Sequence, residues 1–167
     1  MNSKIKIQTV IEVYFRAMLA GYFSDQKSDN VTTTKVGNKT TLTYYEGTDW
    51  VVVDGYTDNY GTTEIFWKGN SVWIMFYWGY YPKEVIPTLM KAISINLSKK
   101  EFLGGRGPEF FQDGNYTYEN FIHSNDPMDF SGEEKVYTLP STKNPMALMP
   151  HGQHRYVGRA VSDLLEV

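Results

Sequence analysis

Between Tyr44 and Gly79 the chain alternates aromatic and β-branched residues with single glycines and isolated acids, on the two-residue period of a strand. All four tryptophans lie here: Trp50, Trp67, Trp73 and Trp78. Such side chains pack well on a pleated surface and poorly on a helix, so the block predicts an antiparallel sheet. Two runs, 64–67 and 72–78, flank Lys68-Gly69-Asn70-Ser71, and a Gly-Asn turn between aromatic runs signals a hairpin. On ideal strands Trp50, Val52 and Asp54 share one face, while Trp73, Met75 and Tyr77 alternate with Val72, Ile74, Phe76 and Trp78. Both faces are apolar, which predicts cover on both.

A chain of 167 residues can bury a real core and is read as one domain, 1–167. Its 16 basic and 19 acidic side chains leave a formal charge of -3 with no basic stripe, which argues against a nucleic-acid partner. The chain has no cysteine, which excludes disulfides, thiolate zinc sites and a cysteine nucleophile. Glu12 and Arg16 break the first apolar stretch, and the rings of 73–81 stop at Pro82, far short of a membrane span. A cytoplasmic protein without membrane contact is expected.

Residues 5–20 predict a helix, because Ile7, Val10, Ile11, Tyr14, Phe15, Met18 and Leu19 recur at three- and four-residue steps. Gly21 reads as its stop. The polar stretch 24–40 reads as a mobile loop, and Glu46-Gly47 and Asp54-Gly55 as punctuation between strands. From Pro82 to Leu97 the period changes to that of a helix, with Val85, Ile86, Leu89, Met90 and Ile93 on one face. Pro87 either kinks it or begins a shorter one. A glycine-rich connector at 102–108 precedes renewed alternation at 115–122. The Pro/Met-rich 138–154 carries no clear period, and 156–165 reads as a short terminal helix.

The block echoes itself. Residues 44–50 resemble 110–116, and Tyr60-Gly61-Thr62-Thr63-Glu64 resembles Phe130-Ser131-Gly132-Glu133-Glu134. This suggests a duplication, 42–80 and 109–150, with Glu64 and Glu134 in equivalent places.

Several ordered pieces carry a family likeness: Asp54-x-Tyr56, Gly61-x-x-Glu64, Val72-Trp73-x-Met75-x-Tyr77-x-Gly79 and Arg106-Gly107-Pro108. Gly114-x-Tyr116-x-Tyr118, Phe130-x-Gly132-x-Glu134 and Val136-Tyr137 continue it. In this order, over about 44–137, they resemble an uncharacterised bacterial domain family found alone or behind the helix-turn-helix of XRE-type regulators. The resemblance implies no established activity, and an effector domain of a regulator is the analogy it suggests. No helix-turn-helix precedes the block here, and the tail from Leu139 departs from the pattern.

A carboxylate among such rings, Asp54 or Glu64, is expensive to bury unpaired, so it either lines a pocket or accepts turn and backbone hydrogen bonds. Arg106, between glycines, offers a bidentate donor to an anion or pairs with a structural acid. It lacks the Lys-Ser/Thr of a phosphate loop. His151 and His154 are three apart, but Pro150 and Gly152 argue against a metal-binding helical turn, so these and His123 read as exposed. Glu133-Glu134 reads as a solvated edge. No serine nucleophile elbow is present, and no cofactor is expected.

The expectation is an α+β domain: an antiparallel sheet of two strand meanders joined by a central helix, with N- and C-terminal helices. Its function reads as binding a small molecule in an aromatic and acidic pocket built from Trp50, Asp54, Tyr56, Glu64, Trp73, Tyr77, Arg106 and Glu134. Two alternatives stand beside it. One is a hydrolase using Asp54, Glu64 or Glu134 as acid or base. The other is an interaction module presenting exposed tyrosines, aided by the 24–40 loop, to a protein partner or a second copy.

Overall fold

The computed structural model describes residues 4–24, 28–138 and 150–166. It is an α+β fold dominated by one antiparallel sheet of nine strands with two helices. A two-residue strand, β1 (Ile5–Lys6), leads directly into helix α1 (Ile7–Tyr22). Strands β2 (Val31–Val36), β3 (Lys39–Glu46), β4 (Trp50–Tyr56), β5 (Tyr60–Trp67) and β6 (Asn70–Tyr80) then form a meander. Helix α2 (Ile86–Lys99) follows, and then a second meander: β7 (Phe110–Asp113), β8 (Tyr116–Asp126), β9 (Asp129–Thr138) and β10 (Pro150–Ala160). The spatial order is β2-β3-β4-β5-β6-β10-β9-β8-β7, so the last strands of the two meanders pair at the middle. A short parallel pair, β1 (Ile5–Lys6) with β11 (Leu165–Glu166), lies apart.

Both helices behave as their sequences require. In α1, Val10, Ile11, Val13, Tyr14, Phe15, Ala17 and Met18 are buried. Gly21 does not stop the helix; it lies inside it, and a methyl group there would overlap Leu42 of β3. Its smallness serves helix–sheet packing. A 3-10 turn at Lys83–Val85 follows Pro82, and α2 starts afresh with Pro87 in its first turn. Of the two readings of Pro87, the shorter helix is the correct one.

Three expectations are corrected. The stretch 24–40 is not one loop: Val31–Val36 pairs with Lys39–Tyr44 as the outermost strand. Its threonines are polar because an edge strand faces water, and β-branching still favours the strand. Asp54-Gly55 is not a turn but the interior of β4, paired with Thr63 and Thr62 of β5. The segment 156–165 is not a helix. Tyr156 lies in β10 between β6 and β9, and inward His154, Tyr156 and Gly158 alternate with exposed Arg155, Val157 and Arg159. That is a two-residue period, short and masked by its charges. Residues 139–149 of the Pro/Met-rich segment lie outside the described residues.

The β5–β6 hairpin turns on Lys68-Gly69, both with positive φ (49° and 77°), and Trp67 faces Asn70. A two-residue turn of this hand matches the twist of its strands. The inner face carries the core. Trp73 is fully buried, stacked on Phe130 with centroids 5.1 Å apart, and donates its indole N–H to the Pro127 carbonyl at 3.0 Å. The outer face is not fully covered: Tyr60, Phe76, Trp78, Phe121 and Val157 are exposed on it.

Candidate functional site

One row of paired residues crosses the middle of the sheet: Tyr56, Gly61, Tyr77, Tyr156, Gly132, Ile122. Tyr77 lies over Gly61 and Tyr156 over Gly132, where a Cβ would overlap the ring. Tyr77 thereby reaches Asp54, donating at 3.2 Å, and Tyr156 reaches Asn120 Oδ1 at 2.8 Å. The adjacent rows place Asp54 beside Thr63 and Met75, and Asn120 beside Glu134 and His154.

In the first half this arrangement opens onto a cavity of about 590 Å³ between the sheet and the helices. Met18, Met75, Leu89, Ile93 and Leu97 give it an apolar floor, and Tyr14, Tyr22, Phe23, Tyr56, Tyr77 and Tyr81 supply rings. Asp54, Thr63, Arg106 and His154 form its polar wall. Asp54 is only 3% exposed and, among the described residues, forms no ion pair; Tyr22, Tyr77 and Thr63 donate to it, the last at 2.6 Å. Burial raises its pKa above the usual carboxylate range, against the pull of those three hydroxyls and of Arg106. The same burial and the Asp54 charge push the Tyr22 and Tyr77 phenols up, so both remain donors.

In the second half the chain fills the corresponding space itself. The glycine-rich connector seats there: Asn120 donates to the carbonyls of Leu103 and Gly107 (3.1 and 2.9 Å), and Gly107 N–H donates to Tyr118. Methyl groups at Gly104 and Gly107 would overlap the rings of Tyr156 and Tyr118. Arg106 donates through Nε (3.0 Å) and Nη2 to Glu134 Oε1, and Tyr118 donates to Oε2 at 2.7 Å. Burial opposes the Arg106 charge, but the charge and hydrogen bonds of Glu134 more than offset it, so the guanidinium stays protonated. The amides of Gly104 and Gly107 are spent inside the fold rather than presented to an anion.

Of the eight residues singled out in the sequence, Asp54, Tyr56, Tyr77 and Arg106 line the cavity. Glu134 stands directly behind Arg106. Trp73 is core, and Trp50 packs on Trp67, with centroids 6.3 Å apart, away from the cavity. Glu64 points to the outer face, one residue out of step with inward Thr63. Glu133 and Glu134 are not one solvated edge: Glu133 meets Lys135 at 2.6 Å outside, while Glu134 is fully buried.

His154 is the residue the sequence argument misplaced. It is not exposed: its side chain is 13% accessible, edge-on to Tyr81 at 4.5 Å, and neither ring nitrogen has a hydrogen bond among the described residues. Burial lowers its pKa to about 4, with Glu134 pulling up and Arg106 pushing down, so the imidazole is neutral near pH 7. The alternation of 152–158 was the signal that could have placed it inward. Among the described residues no three acidic or histidine side chains converge as a metal site, and no helix is long and apolar enough to cross a membrane.

Among the described residues, a nine-stranded sheet under two helices, with an aromatic cavity open at one side, defines an α+β domain with a pocket. The chain belongs to the family described as Domain of unknown function (DUF5680), whose model matches residues 52–152. That span carries Asp54, Tyr77, Arg106 and Glu134; α1, with Tyr14 and Tyr22, lies before it, and His154 after it. No curated protein and no solved structure was found to match.

Proposed function

We propose that this is a binding domain for a small, flat, largely apolar molecule, held in the cavity and oriented by Asp54 and Tyr77. The observation that carries the reading is a buried carboxylate placed on the wall of a 590 Å³ aromatic cavity instead of in a closed core network. Cavities of this size and polarity suit small ligands. A buried carboxylate held only by hydroxyls is expensive, and such groups gather at functional sites. A thermal-shift screen of metabolites on the full chain tests it. Hits should disappear in Ile86→Trp, which fills the mouth, and persist in Glu64→Gln on the outer face. Hits indifferent to Ile86→Trp would place binding elsewhere.

A catalytic reading rests on the same Asp54. If the domain is a hydrolase, Asp54 is its acid or base, because Glu64 faces away and Glu134 is already spent on Arg106 and Tyr118. Turnover of a hit, lost in Asp54→Asn while binding persists, would favour it.

We further infer that the two halves, each a helix followed by a meander, are copies of one ancestral unit. The supporting pattern is Gly61 with Tyr77-x-Gly79 against Gly132 with Tyr156-x-Gly158, matched through the sheet pairing. In that alignment the counterpart of Glu134 is Thr63 and that of Asp54 is Asn120.

A further inference from the structure

Each half of the sheet carries one inward carboxylate on the row beside its tyrosine: Asp54 in the first, Glu134 in the second. The second has its cation supplied by the chain, since Arg106 lies across Glu134. The first has none. Its partners are three neutral hydroxyls, and beyond them is the cavity. Arg106 already gives two donors to Glu134, His154 is neutral, and Lys83 and Asp58 are exposed charges of opposite sign at the mouth. The wall facing the cavity therefore has an unbalanced negative group. Tyr22 and Tyr56, with centroids 6.0 Å apart, and Phe23 next to Tyr22 stand on the same side as Asp54. Ring faces beside a carboxylate are a favourable setting for a desolvated cation.

Resting on the binding reading above, we propose that the cavity takes an organic monocation, a protonated amine or amidinium on a flat apolar body, with its charged group at Asp54. The ligand would do in the first half what the Arg106 guanidinium does in the second. A carboxylate has room for about four hydrogen bonds; Tyr22 and Thr63 fill two of these on Asp54, and the Tyr77 hydroxyl is shared between its two oxygens at 3.2 and 3.3 Å, so a ligand cation takes the place of that long shared contact. The phenol oxygens of Tyr22 and Tyr77, which donate to Asp54, can each accept from the ligand as well. The ionised form of Asp54 is the one that binds, so affinity rises with pH through its titration. The groups facing it are Tyr22 from α1, Thr63 from β5 and Tyr77 from β6, with Arg106 of the connector acting at longer range.

Three probes of one shape and three charges test this by calorimetry on the full chain: 2-naphthamidine, 2-naphthamide and 2-naphthoate. Near neutral pH the amidine should bind about tenfold or more tighter than the amide, with the naphthoate weakest. Asp54→Asn, nearly isosteric and checked for folding by circular dichroism, should bring the amidine down to the level of the amide. Acidification should weaken the amidine and leave the amide unchanged. An amide or naphthoate that matches the amidine, or a preference for the amidine that survives in folded Asp54→Asn, overturns the proposal. If such neutral or anionic binding is abolished by Ile86→Trp, the cavity reading stands and only the cation falls. Silence from all three probes at millimolar concentration overturns both.

Discussion

Tyr77 of β6 and Tyr156 of β10 are directly paired at the centre of the sheet, and each lays its phenol over a glycine of the next strand to reach an amide or acid one strand further on. The sequence of the row therefore decides where the polar wall stands. The two glycines are not equivalent in what surrounds them. At Gly61 the nearest atoms to an added Cβ all belong to the Tyr77 side chain, whereas at Gly132 the Phe121 carbonyl is also in the way.

A Cβ at position 61 can thus be accommodated if Tyr77 swings away; at position 132 the backbone must move. Gly132→Ala should lose stability on the order of 2–4 kcal/mol, as overpacked cores do, and Gly61→Ala roughly half as much. Gly61→Ala should still fold, but with the Tyr77–Asp54 bond broken and cavity ligands weakened. Urea midpoints of both variants check the order; a Gly61→Ala loss as large as that of Gly132→Ala would contradict it.

The buried ion pair makes a second prediction. Arg106→Met leaves Glu134 buried, with Tyr118 as its remaining side-chain donor, and should cost about 3–5 kcal/mol. Glu134→Gln in the same chain removes the stranded charge and should recover a good part of that loss. Chemical denaturation of the two single variants and the double variant measures the coupling. Strict additivity would mean that the pair does not act as a unit.

Part of this was legible in the residues. The hairpin at Lys68-Gly69, the buried Trp73 and the apolar stripe of α1 follow from strong periods and turn chemistry. Arg106 was legible as a residue with two roles, and it has the structural one while bordering the cavity. Under the duplication proposed above, the echo read from the sequence is out by one residue in its second part, where it aligns Gly61 with Ser131. Because strand faces alternate, that slip pairs outward Glu64 with buried Glu134. The shared Tyr-x-Gly at Tyr77 and Tyr156 would have corrected it. Tyr22, Thr63 and His154 were missed because they lie up to 132 positions apart in sequence (154 − 22) and are brought to one wall only by sheet pairing and the packing of α1. A local pattern holds no record of such a meeting.

Trp73 tests the core. It is fully buried between Tyr14 and Phe130, with its indole N–H satisfied by Pro127. Trp73→Ala should cost on the order of 3–5 kcal/mol through lost burial and the cavity left behind. An unchanged denaturation midpoint would be incompatible with this register of β6.

Acid titration separates the two buried groups of the wall, because their signs oppose. The folded state holds His154 neutral down to about pH 4, whereas the unfolded chain protonates it near its ordinary value of 6.5. Between those values the unfolded state binds more protons, so stability falls as pH drops, by about 3 kcal/mol if the shift is fully expressed. Asp54 does the reverse. Its folded pKa is raised, so the folded state holds the proton more tightly and stability falls as pH rises from the ordinary aspartate range through the folded value. His154→Met places at 154 the residue that stands at its counterpart, Met75, and should flatten the loss between pH 6.5 and 4. Asp54→Asn should instead gain stability at neutral pH relative to the parent, with the gain vanishing in acid. Urea unfolding across this range checks both. A His154→Met slope identical to that of the parent would show that the imidazole titrates in the folded state as it does in the unfolded one, contrary to the lowering expected from its burial.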